Sequence, residues 1–88
     1  MGSTREQEIE IYTLISQTYF NIQNYQEAIN RANFVLEKFK TIPDILMLRP
    51  YIILMKASLK LAIYPKIPTY YEEAILIIYF ILGYHHPI

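Results

Sequence analysis

The chain has 88 residues, no cysteine, and eight basic residues that balance eight acidic ones. A chain of this length forms one small domain with a thin core, and the lack of cysteine excludes disulfides and thiolate metal ligands. Because the charges cancel and neither sign forms a run, we expect no nucleic-acid partner, which would require a basic surface.

The two ends of the chain are predicted to lie outside the folded domain. Residues 1–3 are typical of a cloning remnant, and the charged residues that follow leave no apolar centre for a signal peptide. We therefore expect one domain over residues 4–84 and a tail over residues 85–88. A cytoplasmic location, as a piece of a longer protein, is the corresponding expectation.

A membrane span is considered because 53% of the residues are hydrophobic. The longest uninterrupted apolar run, residues 74–82, would be about 14 Å long as a helix, less than half of the roughly 30 Å hydrocarbon layer. The other candidate span, residues 45–64, carries the charged residues Arg49, Lys56 and Lys60. We predict no membrane span.

The first half of the chain has the signals of a helical hairpin. Thr4 or Ser3 can cap a first helix. Large apolar residues then recur on one helical face, namely Tyr12, Ile15, Tyr19 and Ile22. Asn24 ends this helix or caps the next, which reaches Lys40. A connection of two or three residues would make the two helices antiparallel neighbours.

A third helix is predicted from Asp44, as its cap, to about Tyr64. Pro50 lies inside this span and either begins the regular part of the helix or kinks it, because proline has no N–H for a helical hydrogen bond. Pro65 and Pro68 are predicted to end the helix.

The fourth helix is predicted from about Thr69 to Leu82, with Gly83 as the left-handed residue beyond its end. No segment alternates with period two, so the fold class is all-α, with four antiparallel helices in two stacked hairpins. The predicted core consists of Tyr12, Ile15, Tyr19, Ala28, Val35, Leu54, Ala57, Leu61, Ala74, Ile78 and Ile81.

One short phrase occurs twice, as NYQEAI at residues 24–29 and as YYEEAI at residues 70–75. In the first half it follows Ser16, whose small side chain, with that of Ala28, would let two helices approach closely. Around these letters the chain resembles the tetratricopeptide repeat (TPR) family. This resemblance covers about residues 9–83 and implies two stacked helix-turn-helix units.

The chain also departs from the family pattern. Ala32 stands where the family has an aromatic residue, and the proline expected near Lys40 is delayed to Pro43. The corresponding serines, Ser16 and Ser58, are 42 residues apart, whereas the family repeat has about 34 residues. A four-helix bundle unrelated to TPR proteins therefore remains the alternative.

Catalytic chemistry has few candidate residues. The two histidines, His85 and His86, are adjacent in the tail and would need a third ligand to bind a metal. Glu72 and Glu73 diverge on a helix, and acids in a first turn are explained by the helix dipole. We predict no enzyme, no cofactor and no metal site.

The resemblance implies a protein-interaction module, because in TPR proteins the first helices of successive units line a groove for a peptide or helix. Thr13 and Gln17 stand where the family's carboxylate clamp has Lys and Asn, so the clamp is not matched. A groove rich in Met, Leu, Ile and Phe suits an apolar segment instead. Alternatively, Met55 and Leu59 belong to the core or are covered by a flanking repeat. The predicted groove residues are Thr13, Gln17, Phe20, Ile52, Met55, Lys56 and Leu59.

The second hypothesis is a structural or homo-oligomerisation element, a segment of a larger scaffold or regulator without a free groove ligand. Aligning Ala28 with Ala74 places polar residues on the outer face of the second helix and apolar ones on that of the fourth. We expect a homodimer about a two-fold axis through Leu76, Tyr79 and Phe80.

Overall fold

The computed structural model describes residues 4–41 and 44–83, and its regular elements are four α-helices with two short 3-10 turns. The turns Ile45–Met47 and Tyr64–Lys66 lead into the third and fourth helices. No strand occurs within the described residues, so the all-α prediction is confirmed. The predictions for residues 1–3, Pro43 and residues 84–88 fall outside the described part of the chain. The helices are α1 Arg5–Asn21, α2 Tyr25–Lys38, α3 Leu48–Lys60 and α4 Ile67–Leu82.

Side-chain caps start three of the elements as predicted. Thr4 forms a capping box with Gln7, in which each side chain accepts a hydrogen bond from the other's backbone N–H, at 3.2 and 3.0 Å. Asn24 Oδ1 accepts the N–H of Glu27 at the start of α2. Asp44 Oδ1 accepts the N–H of Leu46 at 2.9 Å.

Pro50 is the third residue of α3, so it lies in the first turn. An N–H in that turn has no helical acceptor in any case, and proline costs little there. Of the two predicted roles, Pro50 therefore has the first: it helps to begin the regular helix.

The first helix of each hairpin ends in the same way. Gln23 and Ala62 both have positive φ angles, 66° and 59°. The N–H of the next residue then bonds five positions back, from Asn24 to Tyr19 at 2.9 Å and from Ile63 to Ser58 at 2.8 Å. This is the Schellman motif, which usually contains glycine.

The end of α3 corrects the sequence prediction. The helix stops at Lys60 rather than near Tyr64, because Ala62 turns the chain before either proline. Pro65 lies in the second 3-10 turn and Pro68 in the first turn of α4. Gly83 does take the predicted left-handed conformation at the end of α4, with φ 75°.

Consecutive helices pack on one another, and α1 also packs on α3. The backbone fills a slab of about 41 × 38 × 16 Å, so the molecule is only one to two helices thick. The three-residue connection between α1 and α2 makes these helices antiparallel neighbours, as predicted. The finer arrangement, two stacked TPR-like units, remains a proposal.

Two apolar clusters form the core. The larger joins α2, α3 and α4 through Ala28, Ile29, Ala32, Tyr51, Ile53, Leu54, Ala57 and Ala74. The smaller joins the start of α1 to the end of α2 through Ile9, Val35, Phe39 and Met47. Beside it, the Arg5 guanidinium donates to the Phe39 carbonyl at 2.9 Å and to Asp44 at 3.1 Å, which holds the start of α1 against the next hairpin.

Two predicted core residues are exposed. Leu61 is the residue that closes α3, so it points past the end of the helix packing. Ile81 lies in the last turn of α4. Tyr12, Ile15, Tyr19 and Ile78 are only half-buried, whereas Ala28, Val35, Leu54, Ala57 and Ala74 are buried as predicted.

The close approach of α1 and α2 is confirmed at Ser16 and Ala28. Both residues are fully buried. The Ser16 hydroxyl donates to the Ala28 carbonyl at 2.7 Å. A larger side chain at either position would separate the two helices.

Candidate interaction surfaces

The open face of α3 carries an apolar stripe formed by Ile52, Met55 and Leu59, here called the α3 stripe. Steps of three and four residues place the three side chains on one side of the helix. Ile52 is 48% exposed and Leu59 60% exposed, and Met55 is half-buried between them. Side chains of this exposure do not hold the core, so the stripe is available to another molecule.

The predicted groove residues on α1 are less accessible than those on α3. Gln17 is half-buried, and its amide nitrogen donates to Asn21 Oδ1 at 2.8 Å. Phe20 packs against the larger cluster, and its ring meets that of Tyr25 edge-on at 5.2 Å. The Lys56 ammonium lies 5.6 Å from the centre of the Phe20 ring, so a cation–π contact joins α3 to α1.

Thr13 does not line a groove, which corrects the sequence prediction. It is 4% exposed, and its hydroxyl has no hydrogen-bond partner. The physical reason is helical spacing: Thr13 shares a face of α1 with Ile9 and Ser16, both of which are fully buried.

The outer face of α4 is apolar, as the sequence suggested. Leu76 is 56% exposed and Phe80 65% exposed, while Tyr79 is half-buried. Within α4, all of whose residues are described, Ala74 is the only buried one. Most of this helix therefore contacts solvent although its last nine residues, 74–82, carry no charge.

A cleft of about 550 Å³ separates α2 from α4. Tyr51 of α3 lies in it, and the Tyr51 hydroxyl donates to Glu73 Oε1 at 3.0 Å. Burial, then this hydrogen bond and the Glu73 charge, raise the pKa of Tyr51 well above its ordinary value. Burial and the same carboxylate raise the pKa of Tyr70. Sequence reasoning missed this pair, which is 22 residues apart.

A groove of about 310 Å³ lies between α1 and α2, and its lining includes no residue of α3. We call it the α1–α2 groove. The rings of Tyr12 and Phe34 meet edge-on in it at 5.1 Å. Its lining is Tyr12, Ile15, Glu27, Asn30, Arg31 and Phe34.

Other kinds of site find no support in the described residues. Over 4–41 and 44–83, no three His, Asp or Glu side chains come together in a way that could hold a metal ion. Among the described helices, none has both the length and the apolar character needed to cross a membrane. The histidine pair falls in the part of the chain that is not described.

Comparison with known proteins does not assign the chain to a family. No family model matches the chain, and neither a curated protein nor a solved structure matches it. Functional proposals therefore depend on the surfaces of this chain alone.

Proposed function

We propose that this chain is a protein-interaction module that binds an apolar helix or peptide segment on the open face of α3. The observation that carries the proposal is the exposure of Ile52 and Leu59 in line with Met55. Exposed apolar residues in one contiguous stripe are typical of surfaces that bind another chain.

The edges of the stripe favour a helix or strand of peptide over a small molecule. Lys56 follows Met55 on the same helix and carries an ammonium group that can bond a peptide backbone or an acidic side chain. Neither the cleft between α2 and α4 nor the α1–α2 groove is lined by a residue of the α3 stripe, which is a shallow face. Shallow apolar faces with a polar rim suit a partner helix. Binding rather than catalysis is the activity we propose.

The test is a titration with synthetic amphipathic helices that carry Leu at positions i, i+3, i+4 and i+7. We expect wild-type protein to bind such a helix and Leu59→Glu to lose affinity at least about tenfold, because a charge would be buried at the contact. The matched control is Leu14→Glu, at an equally exposed leucine of α1 outside the stripe, which should bind as wild type does.

The helicity of both variants decides how the result is interpreted. If Leu59→Glu unfolds the protein, Leu59 is a core residue and the proposal is wrong. If both variants bind like wild type, the peptide uses another surface and the α3 stripe has no role.

A second candidate function is self-association through α4. The exposure of Leu76 and Phe80 favours it, because an apolar patch of a few hundred Å² usually marks an interface. Light scattering on wild-type protein and on a Leu76→Glu, Tyr79→Lys variant tests it. A wild-type protein that stays monomeric at high micromolar concentration would exclude this function.

A further inference from the structure

The two hairpins contain corresponding helices that face different surroundings. Residues of α2 and α4 align at a spacing of 46, the separation of Ala28 and Ala74. At this spacing four α2 residues that pack towards α3 have apolar counterparts in α4, three of them identical. The pairs are Tyr25 with Tyr71, Ile29 with Ile75, Ala32 with Ile78, and Leu36 with Leu82.

In α2 these four residues pack against the second hairpin. Ile29 and Ala32 are buried in the larger cluster against α3, and Tyr25 and Leu36 pack against its edge. The counterparts in α4, here called the α4 stripe, have no such cover among the described residues. Tyr71 is 58% exposed and Leu82 59% exposed, and the two residues between them are half-buried.

The surface that receives α2 also has a counterpart. On the second hairpin α2 packs on α3, where Leu54 and Ala57 belong to the same buried cluster as Ile29 and Ala32. The same side of the first hairpin is the α1–α2 groove, which is open. Tyr12 and Ile15, which line this groove, precede Leu54 and Ala57 by the same 42 residues that separate Ser16 from Ser58.

We propose that copies of this chain associate head to tail, with the α4 stripe of one copy lying in the α1–α2 groove of the next. The proposal rests on the second candidate function, self-association, and specifies a different geometry from a two-fold α4 pair. Each copy would contribute two different surfaces to two different neighbours.

A second copy fits this groove for three reasons. The internal packing of α2 on α3 is a precedent for packing this type of helix on the first helix of a hairpin. A helix between two others also buries more area than a single pair of crossing helices, and a stable interface needs roughly 800 Å² from each partner. Finally, Glu72 borders the α4 stripe and would bring a second carboxylate to Arg31, which lines the groove and pairs with Glu27 of the same groove at 3.8 Å.

Because this contact joins two different surfaces, each assembly keeps a free stripe at one end and a free groove at the other. Assemblies are therefore expected to grow with concentration rather than stop at a dimer. Two variants each block one of the two surfaces and leave the other intact. Tyr71→Glu with Leu82→Glu blocks the α4 stripe, and Ile15→Glu blocks the groove. Each variant should be monomeric alone. Leu14→Glu, on α1 but outside the groove, is the control and should assemble like wild-type protein.

The decisive measurement is light scattering on an equimolar mixture of the two blocked variants. One retains an intact groove and the other an intact stripe, so the mixture should form a single species of about twice the 10.5 kDa chain mass and grow no further. Should Ile15→Glu lose helicity, Phe34→Glu replaces it, because Phe34 lines the same groove and is about half exposed.

Other outcomes overturn the proposal in distinguishable ways. A mixture that stays monomeric, or a groove variant that still self-associates, excludes the head-to-tail contact. If Leu76→Glu, Tyr79→Lys alone abolishes association, self-association is correct but uses the two-fold geometry. A monomeric wild-type protein excludes both.

Discussion

Helices α2 and α4 carry the similar phrases NYQEAI and YYEEAI near their starts and have similar lengths, yet their surroundings differ. Four residues of α2 are buried, against one of α4. The difference arises because α2 lies between α1 and α3, whereas α4 packs mainly on α3. Similar sequences thus produce similar helices, and the number of neighbours determines how much of each helix remains available to a partner.

The outer faces of these helices show the same contrast. Asn30, Asn33 and Glu37 keep the outer side of α2 polar, whereas α4 has Leu76, Tyr79 and Gly83 at the corresponding positions. Polar residues are expected on a face that meets water, and apolar ones on a face that another chain covers. The exposed apolar helix face therefore lies on the second hairpin.

The largest expected effect comes from placing leucine at the two corresponding alanines. Ala28→Leu should lower the free energy of unfolding by about 1–3 kcal/mol, because Ala28 is fully buried against Ser16. Ala74→Leu should cost less than about 1 kcal/mol, because α4 can shift outward into solvent. Urea denaturation measures both. Equal losses would show that α4 is as firmly packed as α2.

A smaller effect is expected at the two helix starts. Asn24→Ala should cost about 1 kcal/mol, because it removes the side-chain acceptor for the Glu27 N–H. Lys66 occupies the corresponding position before α4 and makes no capping hydrogen bond. Lys66→Ala should therefore change stability by about 0.5 kcal/mol or less. A large loss at Lys66 would contradict the inference that α4 begins without a side-chain cap.

The smallest effect concerns the one side-chain hydrogen bond described between α3 and α4. Tyr51→Phe removes the bond to Glu73 and should cost about 1 kcal/mol or less, because Glu73 is exposed. The control is Tyr64→Phe at a tyrosine that is 58% exposed, which should leave the urea midpoint unchanged.

The pH dependence of the Tyr51 contribution has a defined sign. The pKa of Tyr51 is raised in the folded protein, so the unfolded chain loses this proton first when the pH rises above the ordinary value of 10.0. The contribution is thus present below pH 10 and is lost as the pH rises towards the folded pKa. The stability of Tyr51→Phe should fall less steeply above pH 10 than that of wild type, although Tyr70 still titrates in both. Parallel curves would show that Tyr51 is as accessible in the folded state as in the unfolded one.

Local signals predicted the starts of α1 and α2 and the tight first hairpin, whereas α3 begins at Leu48, after a 3-10 turn, and α4 at Ile67 rather than near Thr69. Thr4, Asn24 and Asp44 cap the elements that follow them, and Gly83 ends the last helix. These features depend on neighbouring residues, so they can be inferred without knowledge of tertiary packing.

The end of α3 could not be predicted in the same way. Ala62 adopts a left-handed conformation that alanine disfavours, so no glycine marks the turn. This error extended the helix past Lys60 and placed Leu61 in the core. The contact between Tyr51 and Glu73 depends on how α4 packs after that turn. It could therefore not be predicted from the sequence either.

The burial of Thr13 was missed for a different reason. Its groove position came from a resemblance, whereas its neighbours Ile9 and Ser16 on the same face are buried. The helical period alone would have indicated this, since the three residues recur at steps of four and three.

The order in which the helices pack also bears on how the chain folds. Apart from α1 with α3, each closely packed pair of helices is consecutive in sequence. Folds dominated by such local contacts have low contact order and fold within microseconds to milliseconds. With its capping box and three-residue turn, the first hairpin is suited to form early, and α4, with one buried residue, to dock last. Stopped-flow mixing would then find that Ala28→Leu slows folding, whereas Ala74→Leu mainly speeds unfolding.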